Sequence, residues 1–162
     1  MEPFSLGCVQ TSRALPAGLP AGKVGHRLAL RGVDVFGEPM LKDRPVVLVV
    51  EDEPLIRMAA VDLVESAGFE AVEASNADQA IQILETRADI RVVFTDVDMP
   101  GELDGVKLSH YVRTRWPPIH LLVASGKAIL DQSHLPAGAK FFPKPYGERT
   151  IVDALRGFLS AP

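Results

Sequence analysis

Val92-Val93-Phe94-Thr95-Asp96-Val97-Asp98-Met99-Pro100 is the stretch that decides the fold. An apolar run ending in a carboxylate, followed by a turn, reads as a buried strand that delivers Asp96 to the rim of a sheet. A single aspartate after a strand is weak evidence alone, because aspartate also forms turns and caps helices. Three other strand ends make Asp96 a site.

Upstream, Val46-Val47-Leu48-Val49-Val50 is β-branched, continuous and apolar, as a central parallel strand should be. It runs into Glu51-Asp52-Glu53-Pro54, and Pro54 suits the first turn of a helix. Apolar Leu55, Met58, Ala59, Leu63 and Val64 continue that helix until Gly68 stops it. Phe69 to Ala74 reads as a second strand. Asn76 then caps a helix with Ala77, Ala80, Ile81 and Leu84 on one face. The third strand is Val92 to Thr95, and a loop with Pro100 and Gly101 leads to a helix over Gly105 to Arg115. Trp116-Pro117-Pro118 breaks that helix, and Ile119 to Ala124 forms the fourth strand, ending at Ser125-Gly126. A poorly patterned segment, Lys127 to Leu135, precedes a fifth strand, Ala139 to Pro143, closed by Lys144-Pro145. Glu148 to Leu159 is the last helix, with Ile151, Val152, Leu155, Phe158 and Leu159 facing inward.

Strands alternating with helices over about 115 residues imply an α/β fold with a parallel sheet. Ligands bind such sheets at the carboxyl ends of the strands, near the point where strand order reverses. Those ends read Glu51-Asp52, Asp96, Ser125 and Lys144. Carboxylates gathered at one rim repel one another, so something positive must hold them together. An all-oxygen donor set without Cys or His favours Mg²⁺ over zinc. A metal, a lysine and a hydroxyl around one carboxylate form a device for handling a phosphoryl group. Lys144 and the metal would neutralise its oxygens, Ser125 would donate a hydrogen bond, and Asp96 would attack phosphorus.

At these residues the chain resembles the receiver domain of bacterial two-component response regulators. Leu48-Val49-Val50-Glu51-Asp52-Glu53 carries the resemblance, with Thr95-Asp96-Val97-Asp98-Met99-Pro100, Asp104-Gly105, Ala124-Ser125-Gly126 and Phe142-Pro143-Lys144-Pro145. The likeness spans Val46 to Leu159 and implies a doubly wound, flavodoxin-like sheet of five parallel strands with helices on both faces. It implies that Asp96 is the phosphoacceptor and that Asp52 and Asp96 bind Mg²⁺ directly. The backbone carbonyl of Asp98 would add a ligand, and Glu51 would bind through water. Ser125 corresponds to the switch hydroxyl, Phe141 to the switch aromatic, Lys144 to the family's lysine and Lys144-Pro145 to its usual cis peptide. Asp98 and Lys127, each two residues past a site residue, are the positions expected to tune the lifetime of the aspartyl phosphate. Leu135 to Tyr146 resembles a subtype associated with alphaproteobacterial receivers. Two departures stand out. The loop Pro100 to Gly105 is one residue longer than the commonest pattern. The stretch from Ser125 to Lys144 is short, which predicts a stunted fourth helix.

The resemblance implies a signalling switch rather than an enzyme. Its phosphodonor is expected to be a sensor histidine kinase or a histidine phosphotransfer protein, and its output a contact with a further protein. Nothing in the composition asks for nucleic acid, since the net charge is −4. Apolar runs are too short to cross a bilayer, and no basic start with an apolar core marks a signal peptide. The one cysteine, Cys8, leaves no internal disulfide and fits a reducing, cytoplasmic setting. Residues 1–44 hold four prolines and six glycines with no sustained period, and are expected to form a flexible tail before a domain over 45–160. Met40 is a conceivable alternative start. Only Ser160-Ala161-Pro162 follows the last helix, so a stand-alone receiver is expected. Two rival readings remain. Phe94-Thr95-Asp96-Val97-Asp98 has the apolar-Asp-x-Asp form of haloacid-dehalogenase-type phosphatases, although their nucleophile usually follows the first strand. A pseudo-receiver that never takes phosphate is the second.

Overall fold

The computed structural model describes residues 44–127 and 131–159, of Leu159 the backbone only. The expected tail over 1–44 lies, Arg44 apart, outside the described residues. Five parallel strands form one sheet in the order β2-β1-β3-β4-β5: β1 is Val46–Val50, β2 Glu70–Ala74, β3 Ile90–Asp96, β4 His120–Ser125 and β5 Lys140–Pro143. The helices are α1 (Pro54–Ser66), α2 (Ala77–Thr86), α3 (Gly105–Arg115) and α4 (Glu148–Leu159). This is the parallel sheet that the alternation of elements predicts, in the doubly wound order that the resemblance implies.

Alternate side chains of a strand point to opposite faces, so a strand covered on both sides must be apolar throughout. All five residues of β1 are buried. Val46, Leu48 and Val50 face α2 and α3, meeting Ala80, Leu84, Leu108 and Val112. Val47 and Val49 face the other way, toward Ala60 and Val64 of α1 and Ile151 and Leu155 of α4. Burying a Val or Leu side chain is worth about 1.5–3 kcal/mol, so this double-sided packing anchors the sheet.

The chain steps from β1 to β2 on one side and later to β3 on the other. Strand order therefore reverses between β1 and β3, and their carboxyl ends lie side by side. Asn76 Oδ1 caps α2 by accepting from Gln79 N–H at 2.8 Å, and Asp104 Oδ1 caps α3 from Lys107 N–H at 2.8 Å. Gly68, at φ +95°, ends α1 in the left-handed region.

Two readings need correction. The third strand starts at Ile90 rather than Val92, because a register shift lets the exposed Arg91 bulge out while Ile90 still pairs with Val46. On α1, Leu55 is 74% exposed and Met58 59%, and Ala59 is exposed too. The buried stripe is Ala60 and Val64. Apolar residues on this helix occupy more than one stripe, and periodicity cannot say which one meets the sheet.

The expected stunting of the fourth helix is visible in what is described between β4 and β5. A 3₁₀ turn over Gln132–His134 stands there. Its Gln132 side chain runs alongside the outer edge of β5, donating to Ala139 O at 2.6 Å and accepting from Phe141 N–H at 3.1 Å. One amide thus does at this edge what a further strand or helix would do, and covers its backbone groups.

Candidate functional site

The turn after β1 places Glu51 and Asp52 beside Asp96, the last residue of β3. One carboxylate oxygen from each of the three lies within 4.8 Å of the others. Glu51 and Asp96 are buried and Asp52 is half-buried. Like charges this close cost energy, and Glu51 registers it. Burial first, then the neighbouring Asp96 charge, push its carboxyl above the ordinary range, with Lys144 only partly offsetting them.

Lys144 is the residue that follows β5. Its backbone N–H donates to Ser125 O at 2.8 Å, and its peptide bond to Pro145 is cis. Nζ lies 2.9 Å from Asp96 Oδ1 and 3.3 Å from Glu51 Oε2. Burial works against this ammonium, but the bond and charge of Asp96 and the charge of Glu51 outweigh it and hold its pKa above the usual lysine value. Lys144 therefore stays charged. Beside it, Tyr146 packs edge-on against Phe94, with ring centres 5.8 Å apart.

The ion pair leaves Asp96 incompletely satisfied. Asp96 Oδ2 receives Asp98 N–H at 3.1 Å, whereas Asp96 Oδ1 is buried with no aligned hydrogen bond, Lys144 being close but off its donor geometry. The Asp52 carboxylate has no hydrogen bond or ion pair among the described residues. Oxygen-only donors, excess negative charge and an orphaned buried lone pair are what a hard divalent cation would satisfy. Mg²⁺ fits the residues present.

On the β4 side, Ser125 is buried at 1% exposure. Its Oγ donates to Asp98 Oδ2 at 3.3 Å and accepts from Lys127 N–H at 3.0 Å. The Lys127 ammonium pairs with Asp98 Oδ1, and that bond leads the effects that lower the Asp98 pKa, burial opposing it. The two expected tuning positions thus face each other across the rim. Phe141 lies half-buried on β5, opposite Val123 and against the core on the α2/α3 side.

Two residues to which the sequence reading gave no role of their own shape the site. Gly105 opens α3 directly against the end of β3, donating its N–H to Val97 O at 3.2 Å. Asp104-Gly105 contains the clue, since a glycine right after a cap often marks a close approach. Arg57 on α1 grips the acidic turn by its backbone: Nη1 donates to Glu51 O at 2.7 Å and to Asp52 O at 3.4 Å, while Nε binds Glu73 at 3.1 Å. A cation is thereby spent on carbonyls, leaving the Glu51 and Asp52 side chains facing the rim. Sequence offers no signal for it, because the contacts are tertiary. Arg57→Ala is expected to cost about 1–3 kcal/mol in urea unfolding at neutral pH, as half-buried carbonyls lose a charged donor. Arg57→Lys should recover little, lacking the planar fork. A change below about 0.5 kcal/mol in Arg57→Ala would show that the turn holds itself.

The histidines lie away from this centre. His110 Nε2 meets His134 O at 3.0 Å, His134 joins the cap of the 3₁₀ turn, and His120 stacks on Phe158.

Comparison with known proteins gives the same answer. Residues 47–156 match the family described as the response regulator receiver domain. Sensor kinase CckA of Brucella abortus (strain 2308) is 34% identical over 123 residues, covering 74% of this chain and 13% of that protein. Response regulator protein FleR of Pseudomonas aeruginosa is 32% identical over 110 residues, 66% of this chain and 23% of that protein. The chain thus spans less than a quarter of either relative. Among solved structures, the receiver domain from hybrid histidine kinase CckA is 29% identical with a TM-score of 0.59, covering 71% of this chain and 99% of that one. A response regulator receiver protein from Pseudomonas putida is 27% identical with a TM-score of 0.63, covering 70% and 97%. With the fold, the rim of carboxylates and the family match in agreement, this chain belongs to the receiver domains of two-component response regulators.

Proposed function

We propose that this chain is a phosphorylation-switched signalling module that takes a phosphoryl group on Asp96 from a phosphohistidine donor. The observation that carries the reading is the Lys144 ammonium bridging Asp96 and Glu51 at a rim of three carboxylates. An Asp96 oxygen forms the new P–O bond as the donor's P–N bond breaks. The electron pair stays on the imidazole, which takes a proton from solvent. Lys144 offsets the charge gathering on the phosphoryl oxygens, and the Ser125 hydroxyl, at the end of the neighbouring strand, hydrogen-bonds one of them. Mg²⁺, held by Asp52, Asp96 and the Asp98 carbonyl with Glu51 through water, would supply further neutralisation of that charge. Phe141 would follow the Ser125 hydroxyl when it engages phosphate.

The donor is a sensor histidine kinase or a histidine phosphotransfer protein, and the setting is cytoplasmic. Exposed Leu55 and Met58, on the helix that starts beside the acidic turn, offer it an apolar footing. Output passes by protein contact, and the receiver domain takes in 45–160 with 1–44 outside it. Asp98 and Lys127 tune how long the phosphate lasts: their pairing would partly shield the phosphoryl group from water, slowing hydrolysis at most a few fold because exposed ion pairs are weak. No helix among the described residues is long and apolar enough to cross a membrane. The dehalogenase-type phosphatase reading would need the Asp98 carboxylate free as an acid/base, yet it is engaged by Ser125 and Lys127.

Incubation with acetyl phosphate and Mg²⁺, followed by mass mapping, tests the proposal. Phosphate is expected on Asp96, with none in Asp96→Asn or Asp96→Ala and none in excess chelator. Phosphate settling stably on another residue of the wild type would overturn the assignment. An unmodified wild type would favour a pseudo-receiver.

A further inference from the structure

The Ser125 hydroxyl has one proton to give, and here it is already given. It goes to Asp98 Oδ2 at 3.3 Å, while the hydroxyl oxygen accepts from Lys127 N–H at 3.0 Å. The other Asp98 oxygen pairs with the Lys127 ammonium, and the Asp98 N–H rests on Asp96 Oδ2 at 3.1 Å. The four residues form one connected circuit that joins the acceptor carboxylate to the switch hydroxyl. We propose that the Asp98–Lys127 pair is a latch that holds the Ser125 hydroxyl in its unphosphorylated setting, so that Asp98 is a positioning residue for the switch. The inference rests on the reading of Asp96 as phosphoacceptor.

A hydroxyl proton cannot serve Asp98 and a phosphoryl oxygen in one geometry, so engaging phosphate means breaking the Ser125–Asp98 bond. Arrival of the phosphoryl group itself drives the break. It presents a more highly charged acceptor to Ser125 than Asp98 does, while Asp98 keeps Lys127 as its partner. Lys127, paired with the other Asp98 oxygen, holds that carboxylate in place until then. Both side chains are open to solvent, Lys127 at 61% and Asp98 at 33%, so water screens the pair. The latch is accordingly a bias, not a lock, and releasing it changes switch populations by a modest factor.

The experiment uses the full chain and backbone amide NMR of wild type, Asp98→Ala, Asp98→Asn, Lys127→Ala, Ser125→Ala and Asp98→Ala/Ser125→Ala. Beryllofluoride with Mg²⁺ supplies the loaded reference. Without it, the Ala124, Ser125 and Gly126 amides of Asp98→Ala are expected part-way along the path from unloaded to loaded wild type. Acetyl phosphate should modify Asp98→Ala about three- to tenfold faster than wild type, the scale of one hydrogen bond plus an exposed ion pair. Lys127→Ala should move the same amides less, and Asp98→Asn, which keeps an acceptor oxygen without the charge, should fall between Asp98→Ala and wild type. In the Ser125→Ala background, Asp98→Ala should add nothing. Amides that stay at their unloaded positions in both Asp98→Ala and Lys127→Ala would overturn the latch. So would an Asp98→Ala effect that survives loss of the hydroxyl. A wild type that never takes phosphate on Asp96 would instead sink the functional reading beneath it.

Discussion

Gly105→Ala is expected to destabilise the domain by about 3–5 kcal/mol, a large share of the stability of a fold this size. A Cβ at this position would sit 2.0 Å from the Asp96 carbonyl oxygen, 2.8 Å from its carbon and 2.9 Å from Val97 Cα. All three are backbone atoms at the end of a central strand, so none can swing aside as a side chain would. Relief requires the start of α3 to retreat from β3. That retreat draws fully buried Leu108 and Val112 out of the core. Alanine is the better helix former by about 0.8–1.0 kcal/mol, which the clash exceeds several fold. Because the displaced carbonyl belongs to Asp96, phosphate uptake should fall along with stability. Gly157→Ala is the internal control. It lies within α4, its nearest neighbour is Lys140 Nζ at 3.9 Å, and it should stabilise by about 0.5–1 kcal/mol. Urea unfolding of both variants checks the pair. A Gly105→Ala midpoint close to wild type would show that α3 is loosely docked.

How much of this was legible beforehand depended on whether the determining contact was local. Val46 to Val50 announces a strand covered on both sides because every residue is apolar, and all five are buried. Glu51, Asp52, Asp96, Ser125 and Lys144 could be grouped because parallel topology puts strand ends at one rim, and Asp96, Glu51 and Lys144 do meet there. The pairing of Asp98 with Lys127 was legible through the family resemblance, which marks the two positions that flank the site. Side-chain direction was harder to read. Leu55 and Met58 keep helical spacing yet point to solvent, and the bulge at Arg91 hid the first two residues of β3. Contacts set by the third dimension were invisible: Arg57 on the Glu51 and Asp52 carbonyls, Gln132 along β5, and the bond from Ser125 to Asp98.

Asp52→Asn should make the metal-free protein more stable and less responsive to Mg²⁺. The Asp52 oxygen lies within 4.8 Å of oxygens on Glu51 and Asp96, and Lys144 pairs with those two rather than with Asp52. At that spacing each like-charge pair costs on the order of 1–3 kcal/mol before relaxation, and half-exposure of Asp52 favours the lower end. Removing one charge with almost no change in shape should therefore raise stability by about 1 kcal/mol when Mg²⁺ is chelated. Glu51 shows the same kind of repulsion from its other neighbour, its carboxyl being pushed up by burial first and then by the Asp96 charge. Such a carboxyl binds its proton more tightly folded than unfolded, so its contribution to stability falls as pH rises through the raised value. In wild type, Mg²⁺ should reverse the penalty and raise the melting temperature, since the folded rim would hold it and the unfolded chain offers no comparable site. Asp52→Asn keeps one neutral oxygen in place of a carboxylate, and Mg²⁺ affinity should drop about tenfold or more, because a hard cation held by few protein ligands depends on their charge. Thermal melts of both proteins in chelator and in saturating Mg²⁺ make the test, and the two curves are expected to cross over. If the variant is no more stable in chelator, the carboxylates do not repel as their spacing demands. If Mg²⁺ still raises its melting temperature as far as wild type's, the cation binds somewhere other than this rim.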